Sequence, residues 1–311
     1  MRSASALTFL GLLVLSSPFV LAQKREAIQG DEVSLYVTVT NARGEWIGGL
    51  TADNFKVREG KSDYELSSFS SEETPVTVGI LIDTSGSSVT YLGKIAEAMS
   101  YFIKASKQET EMFVMVFNTR HDVLVEPTSD RDHLMKALLA LKVTPKGNTA
   151  LFDSIEAGLD KLSKSKHSKR ALIVFSDAQE NASKLSFDDL RKKVRGSNAL
   201  LYNVNVQDPA DASSQLAQKS MDWIDQLTTL TGGRSMYAIK PGELFQLSYR
   251  TGEELRYQYR IGFRPSLGAS KPHEWRKIGV KLNVAPAVKS RIGEMRIRAR
   301  EGYYSDSTAV N

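Results

Sequence analysis

The chain has 311 residues, of which 41% are hydrophobic and 25% charged, the proportions of an ordinary globular protein. Lys and Arg outnumber Asp and Glu by only 41 to 36, a basic excess too small to indicate nucleic-acid binding. The absence of cysteine excludes disulfides, thiol catalysis and thiolate metal sites. Packed hydrophobic cores must therefore stabilise the chain.

The amino-terminal segment differs in composition from the rest. Arg2 is its only charged residue before position 23, an apolar run extends from Ala6 to Leu15, and a small-residue sequence ends at Ala22. This pattern predicts a signal peptide over residues 1–22, cleaved after Ala22. The apolar run is shorter than the roughly 20 residues that span a bilayer. We therefore expect an exported protein, periplasmic or secreted, with no membrane span after cleavage.

Residues 23–73 are predicted to form short strands. Four apolar residues alternate with Ser34, Tyr36 and Thr38, which is the period-two pattern of a half-buried strand. The alternating residues are Val33, Leu35, Val37 and Val39. Phe55 and Val57 repeat the pattern before a turn at 59–61.

The pattern changes over residues 74–256, where apolar runs alternate with helical spacing. The run VTVGILI at 76–82 is typical of a strand buried on both faces. Further strands are predicted at 112–117, 122–125, 171–175, 199–206 and 235–238, and helices at 89–107, 130–142, 149–162, 213–230 and 242–256. This alternation predicts an α/β fold, a Rossmann-like doubly wound and mostly parallel sheet with helices on both faces.

Period-two alternation returns over residues 257–305, before a short tail at 306–311. It involves three groups: Tyr257, Tyr259, Ile261 and Phe263; Ile278, Val280 and Leu282; and Met295, Ile297 and Ala299. Arg296, Arg298 and Arg300 alternate with the last group, and we interpret them as the solvent-facing side of a strand rather than a polyanion site. Each flank is too short to bury a sheet alone. We therefore expect residues 23–73 and 257–305 to form one small β-sandwich.

Small oxygen-bearing side chains follow the predicted strands at one edge of the α/β sheet. Asp83, Ser85 and Ser87 come directly after the first buried strand, Thr149 opens a helix, and Asp177 follows the strand at 171–175. Ligands of open α/β sheets bind at the carboxyl ends of the strands. Oxygen donors suit a hard divalent cation. The spacing therefore predicts a cation site at this edge.

These residues resemble the metal-ion-dependent adhesion site of von Willebrand factor type A domains. The resemblance rests on DTSGS at 83–87, GNT at 147–149 and an apolar strand ending in SD at 176–177, and it covers about residues 74–256. It implies that Ser85, Ser87 and Thr149 coordinate the cation directly. It also implies that Asp83 and Asp177 ligate it or accept hydrogen bonds from its ligands, and that a partner Glu or Asp fills an open position. The flanking segments LTADNFKVREG, RYQYRIGF and REGYY are similar to those of bacterial exported proteins that carry this domain beside a β-sandwich.

One position departs from the family pattern. The family usually has Gly after the last Asp, whereas this chain has Ala178. Because Ala disfavours a positive φ, we expect the loop to differ locally.

The resemblance implies a protein-binding module of the cell envelope or secreted fraction that depends on Mg²⁺, or on Mn²⁺ or Ca²⁺. It implies no enzymatic activity, and the sequence contains neither a G-x-S-x-G nor an H-E-x-x-H motif. Two alternatives remain at this point: a structural envelope protein with a non-functional metal site, and a metal-dependent hydrolase that uses Asp83 and Asp177.

We expect amino-terminal sequencing of the native exported protein to begin at Gln23, because the cleavage site precedes that residue. A cytoplasmic protein that retains Met1 would contradict the predicted export.

Overall fold

The computed structural model describes residues 31–88, 91–141, 147–205, 215–237, 243–266 and 273–305. The predicted signal peptide and the tail at 306–311 lie outside the described residues. No helix in the described ranges combines the length and the apolar character needed to cross a membrane.

The described elements fall into three successive segments. The amino-terminal flank contains β1 (Val33–Asn41), a 3₁₀ turn (Ala52–Asn54), β2 (Phe55–Glu59), β3 (Ser62–Tyr64) and β4 (Leu66–Ser70). The α/β segment contains β5 (Val76–Asp83), α1 (Leu92–Ala105), β6 (Glu111–Phe117), β7 (His121–Thr128), α2 (Arg131–Leu139), α3 (Leu151–Ser163), β8 (Lys169–Ser176), α4 (Phe187–Gly196), β9 (Leu200–Asn205), α5 (Gln215–Thr231), β10 (Arg234–Tyr237) and α6 (Glu243–Arg256). The carboxyl-terminal flank contains β11 (Tyr259–Phe263), β12 (Trp275–Lys277), β13 (Gly279–Leu282), α7 (Pro286–Ile292), β14 (Met295–Arg298) and β15 (Gly302–Tyr304).

The α/β segment forms a six-stranded sheet in the order β10-β9-β8-β5-β6-β7. Its neighbouring strands are parallel except at the β7 edge, where β6 and β7 run antiparallel. All eight residues of β5 are buried. The predicted mostly parallel, doubly wound sheet is confirmed.

Two hydrophobic cores cover the two faces of this sheet. Ile80 and Ile82 of β5 join one core with Met99 and Phe102 of α1. Leu81 joins the other core, which includes residues of α3, α4 and α5. Successive side chains of a strand point to opposite faces, so a continuous apolar run fills both cores.

The two flanks form the predicted β-sandwich. One antiparallel sheet has the order β14-β1-β11-β4, and the other has the order β13-β2-β3, so both sheets draw strands from both flanks. Val37 pairs with Tyr259, and Leu282 pairs with Phe55. The inward side chains share a single core that includes Val37, Phe55 and Tyr259. Neither flank could bury this core without the other.

A buried ionic cluster joins the sandwich to the α/β domain. Glu254 of α6 lies 2.6 Å from Arg298 and 3.3 Å from Arg234 and accepts a 2.9 Å hydrogen bond from the Tyr202 hydroxyl. Thr38 of β1 donates a 3.3 Å hydrogen bond to the same carboxylate. Burial would raise the pKa of Glu254, but the two Arg residues outweigh burial and hold it below its usual value. The carboxylate therefore stays ionised at the junction.

The prediction that the Arg stripe faces solvent is wrong for two of its three members. Arg296 is exposed, but only 25% of the Arg298 side chain is accessible, because it pairs with Glu254. Arg300 donates hydrogen bonds to Asn198 and to the Arg195 carbonyl oxygen and packs against the Trp275 ring. The strand alternates as predicted, but the side assigned to solvent faces the α/β domain.

Helices α4 and α7 were not predicted from the sequence. The sequence interpretation missed α4, although Phe187, Leu190 and Val194 recur at i, i+3 and i+7, the spacing of one helix face. A second signal is the amino-terminal cap, where Ser186 accepts a hydrogen bond from the Asp189 amide. Helix α7 begins at Pro286 and ends before Gly293, whose φ is +84°.

A lysine is fully buried where β8 begins. Lys169 Nζ donates a 2.5 Å hydrogen bond to the Leu255 carbonyl oxygen at the end of α6 and lies 4.8 Å from the centre of the Tyr36 ring. Burial lowers its pKa to about 7, although Glu254 opposes the change. Lys169 therefore links a strand, a helix end and the sandwich at the cost of a buried positive charge.

We expect the free energy of unfolding to rise with pH between pH 7 and about pH 9.5. In that range the unfolded chain holds a proton on Lys169 that the folded chain has released, so the slope approaches about 1.4 kcal/mol per pH unit. Urea unfolding of Lys169→Met should show a much flatter profile. A variant profile as steep as that of the wild type would contradict the assignment.

Candidate functional site

The sheet order reverses between β5 and β8. The chain passes from β5 to β6 and β7 on one side and then returns to place β8 on the other. Such a switch point leaves a crevice at the carboxyl ends of the strands. Asp83 ends β5, and Asp177 follows the last residue of β8, Ser176. The topology therefore brings the two carboxylates to one place.

Both oxygens of Asp83 accept hydrogen bonds, and the side chain is fully buried. Oδ1 accepts the Ser85 amide at 2.9 Å, and Oδ2 accepts the Ser176 hydroxyl at 2.5 Å. The first bond closes the turn after β5 within the loop, and the second joins that loop to β8. The orientation of Asp83 is therefore set by both strands at the switch point.

Hydroxyl groups connect the two carboxylates. Ser85 Oγ lies 3.3 Å from Ser87 Oγ, and the Ser87 hydroxyl in turn hydrogen-bonds to Asp177. Asp83, Ser85 and Asp177 are buried, whereas Ser87 and Gly86 are exposed. The side chains of four of the five predicted site residues thus form one connected group that opens to solvent at Ser87.

Thr149, the fifth residue, is brought to the same edge by its backbone. Its amide donates a 2.7 Å hydrogen bond to the Asn181 side chain, and its carbonyl oxygen accepts bonds from the amides of Asn181 and Ala182. The next amide, that of Ala150, donates to the Asn118 carbonyl oxygen beyond β6. Thr149 lies in the loop before α3. The helix was predicted to begin at Thr149 but begins at Leu151.

Glu180 fastens the loop of Asp177 to the start of α3, and the sequence interpretation missed it. Its carboxylate accepts hydrogen bonds from the amides of Phe152, Ala182 and Ser183 and from the Ser183 hydroxyl, at 2.7–2.9 Å. Asp153 of α3 accepts the amides of Lys184 and Leu185 in return. The sequence signal is weak, since nothing in it places Glu180 beside a helix end 28 residues earlier. The loops of Thr149 and Asp177 therefore form one unit.

Ala178 adopts a left-handed backbone conformation, which the glycine that is usual at this position in the family would adopt without strain. Its φ is +60°, its side chain is fully buried, and its amide donates a 3.0 Å hydrogen bond to the Ser176 hydroxyl. This conformation costs an L-residue about 1–2 kcal/mol. The Ala178 methyl packs into the core that covers α3, α4 and α5, which offsets part of that cost. Ala178 therefore takes the positive φ that we expected it to avoid, and the turn is kept at a cost in strain.

Burial disfavours the charged form of both carboxylates. It raises the pKa of Asp83 to about 6; the hydrogen bond from Ser176 opposes this, and the neighbouring Asp177 adds to it. Burial also raises the pKa of Asp177, against hydrogen bonds from Ser87 and the Gln179 amide. Two buried carboxylates this close are stabilised by a proton or by a cation between them.

The donor atoms of this edge fit a hard cation. They are carboxylate and hydroxyl oxygens, and within the described ranges no group of three or more His, Cys, Asp or Glu side chains could hold a metal ion. A cation here would therefore need the hydroxyls of Ser85 and Ser87 as well as the two carboxylates. Mg²⁺ is commonly held by one or two carboxylates with water or a ligand completing its shell.

We expect Asp83→Asn to stabilise the metal-free protein by about 1–3 kcal/mol at pH 8. The folded-state pKa of Asp83 is raised from 3.8 to about 6, so its ionised form destabilises the fold above that pH. Urea unfolding in chelator is the measurement, with Asp188→Asn as a control, because 70% of that side chain is exposed. A destabilised Asp83→Asn protein would contradict this account of the site.

Comparisons with known proteins identify the α/β domain. Residues 78–179 match the sequence profile of the von Willebrand factor type A domain. No curated protein sequence matches the chain. Among solved structures, the conserved hypothetical protein BatB from Bacteroides thetaiotaomicron is similar at 14% identity, with a TM-score of 0.44 over 58% of this chain and 98% of that one. An aerotolerance-related membrane protein from Bacteroides fragilis has 15% identity and a TM-score of 0.47 over the same shares. The PilB minor pilin from Streptococcus sanguinis has 10% identity and a TM-score of 0.42 over 60% of this chain and 62% of that one.

The matched segment runs from β5 to the residue after Ala178 and includes all five predicted site residues. The resemblance predicted from the three sequence motifs is confirmed over this segment, which matches the von Willebrand factor type A domain.

Proposed function

We propose that this chain is an exported protein-binding module. Its binding to the partner protein depends on a divalent cation. Asp83, Ser85, Ser87, Thr149 and Asp177 hold the cation, which is Mg²⁺ or a related ion such as Mn²⁺ or Ca²⁺. A Glu or Asp side chain of the partner protein completes its coordination. The module binds and does not catalyse.

The observation that carries the proposal is the pair of buried carboxylates joined through hydroxyls. Asp83 and Asp177 are each about 1% exposed or less, and Ser85 and Ser87 lie between them. A helix cap or a packing role would not require two carboxylates to be buried near each other. A divalent cation would supply the positive charge that relieves their repulsion and a Lewis-acid centre for a partner carboxylate.

The exposure pattern supports a partner at this edge. Ser87 and Gly86 are exposed beside the buried carboxylates, so a protruding side chain could reach the group from solvent. The contacts of Asn181 and Glu180 hold the loops of Thr149 and Asp177 together before any ligand arrives. A preorganised site loses less free energy to ordering when it binds.

Calorimetric titration with Mg²⁺ and Mn²⁺ tests the cation site. We expect the wild type to bind, and a free cation concentration 100 times the dissociation constant to stabilise the fold by about 2.7 kcal/mol. Asp83→Ala should abolish binding and remain folded, because Asp83 is the last residue of β5 and its buried charge does not stabilise the fold. Ser87→Ala should weaken binding less, because water can replace one hydroxyl.

Ser88→Ala is the matched control for Ser87→Ala. Ser88 is the next residue of the same loop, is fully buried and lies outside the proposed ligand set. Its cation affinity should equal that of the wild type. Capture of a partner from the envelope fraction in magnesium, and its release by chelator, tests the binding role. A wild type that binds neither ion at millimolar concentration would refute the proposal in favour of a structural role.

A further inference from the structure

We infer that a cavity at the junction of the two domains binds a small oxyanion, a phosphate or a carboxylate, independently of the cation site. The cavity has a volume of about 300 Å³ and lies between the end of α5, β13 and β14. Thr229, Gly232, Val280, Arg298 and Arg300 are among its lining residues. It adjoins the residues that precede β10, so it is at the opposite edge of the parallel sheet from Asp83.

Positive charge exceeds negative charge around this cavity. Glu254 is fully committed to the junction, where it faces both Arg234 and Arg298. Arg300 is hydrogen-bonded to the neutral groups of Asn198 and Arg195, and burial lowers its pKa to about 10. Glu301 also lines the cavity, but Arg234 and Arg298 share the single carboxylate of Glu254, and Arg300 adds a third guanidinium group. A bound anion would offset this excess of positive charge.

Unpaired polar atoms at the junction are mostly hydrogen-bond donors. Within the described ranges, Nε of Arg234 and Nε of Arg298 are buried and have no hydrogen-bond partner. The same is true of Arg195 Nε and Trp275 Nε1, which lie beside Arg300. Gln258 Oε1 is an unpaired acceptor in the same cluster. Of these atoms, Arg298 Nε belongs to a residue that lines the cavity, and the others surround the lining residues Arg298 and Arg300. A buried N–H group is costly to leave unpaired, so Arg298 favours a ligand with acceptor oxygens.

The geometry of these side chains suits an oxyanion better than a point-like halide. A guanidinium presents parallel N–H groups that match the spacing of carboxylate and phosphate oxygens. The Trp275 ring lies 5.0 Å from the Arg195 guanidinium and 5.9 Å from that of Arg300, so the second side chain is held in a fixed place. The walls are main chain and short side chains at Gly232 and Thr229, which leaves room for a small ligand only.

The experiment titrates the full mature chain with sodium phosphate and, separately, with sodium acetate, each against sodium chloride at equal ionic strength. We expect a saturable rise in Tm and a change in Trp275 fluorescence with phosphate, acetate or both, and none with chloride. The stronger of the two arms identifies the oxyanion class. Trp275→Phe should remove the fluorescence signal, and calorimetry should still detect binding.

Arg300→Gln should weaken binding by at least about tenfold. Arg296→Gln is the matched control, because Arg296 lies four residues before Arg300 with the same charge and 62% of its side chain is exposed. Its affinity should stay within about twofold of the wild type. Should Arg300→Gln not fold, Gly279→Leu gives the same test without a charge change. Gly279 lines the cavity and has no atom within 4 Å of its Cβ position.

Saturable binding that is lost in Arg300→Gln or Gly279→Leu and kept in Arg296→Gln would support the site. No saturable effect beyond that of chloride, or equal losses in Arg296→Gln and Arg300→Gln, would overturn it. Asp83→Ala should bind the oxyanion normally, because Asp83 lies at the other edge of the sheet.

Discussion

The complete burial of β5 is the constraint on which the rest of the architecture depends. An ionised carboxylate is costly in the middle of a strand that is covered on both faces. The residues of β5 from Val78 to Ile82 are apolar or glycine, and its one carboxylate, Asp83, lies at its carboxyl end. Strand β8 has Lys169 and Arg170 at its amino end, is apolar from Ala171 to Phe175, and is followed by Asp177. Because the two strands are neighbours and parallel, their polar ends meet at one edge. The candidate site is thus a consequence of how the two cores are filled, and its two buried carboxylates lie beside the exposed residues Gly86 and Ser87.

Placing two charged groups at one edge of the sheet leaves two destabilised carboxylates and one strained residue. Asp83 and Asp177 are desolvated together, and Ala178 between the loop and the core keeps a positive φ. Ser176 and Ser87 donate hydrogen bonds to the two carboxylates, and Glu180 accepts a hydrogen bond from the Phe152 amide at the start of α3. These contacts hold the arrangement in place. Strain and unfavourable charge retained by surrounding contacts are typical of functional sites. The proposed cation would act on the least favourable part of the domain, which is why ligand binding and stability should be linked here.

The opposite edge of the α/β domain is held by charge as well, but with the signs reversed. Glu254 forms salt bridges with Arg234 and Arg298. Lys169 donates a hydrogen bond to the carbonyl oxygen at the end of α6, and Arg300 packs beside Trp275. Removing one member of such a buried cluster leaves the charge of its partner uncompensated, so a single substitution at the junction should destabilise the fold. The sandwich is joined to the domain through the same helix, α6, whose last turn supplies both Glu254 and the Leu255 carbonyl oxygen. The relative position of the two domains therefore depends on a few buried ionisable groups.

The fold class and the candidate site residues could both be predicted from the sequence. Continuous apolar runs such as 76–82 indicate strands covered on both faces, alternation such as 33–39 indicates strands covered on one, and three short motifs mark the polar ends of the sheet. The contacts of Arg298 and Arg300 with a second domain, and those of Glu180 with the start of α3, are visible only in the folded protein. Periodicity reports which side of an element is apolar, but it does not report what packs against the polar side. That depends on contacts between residues far apart in the chain, such as Glu254 with Thr38, which form only when the domains dock.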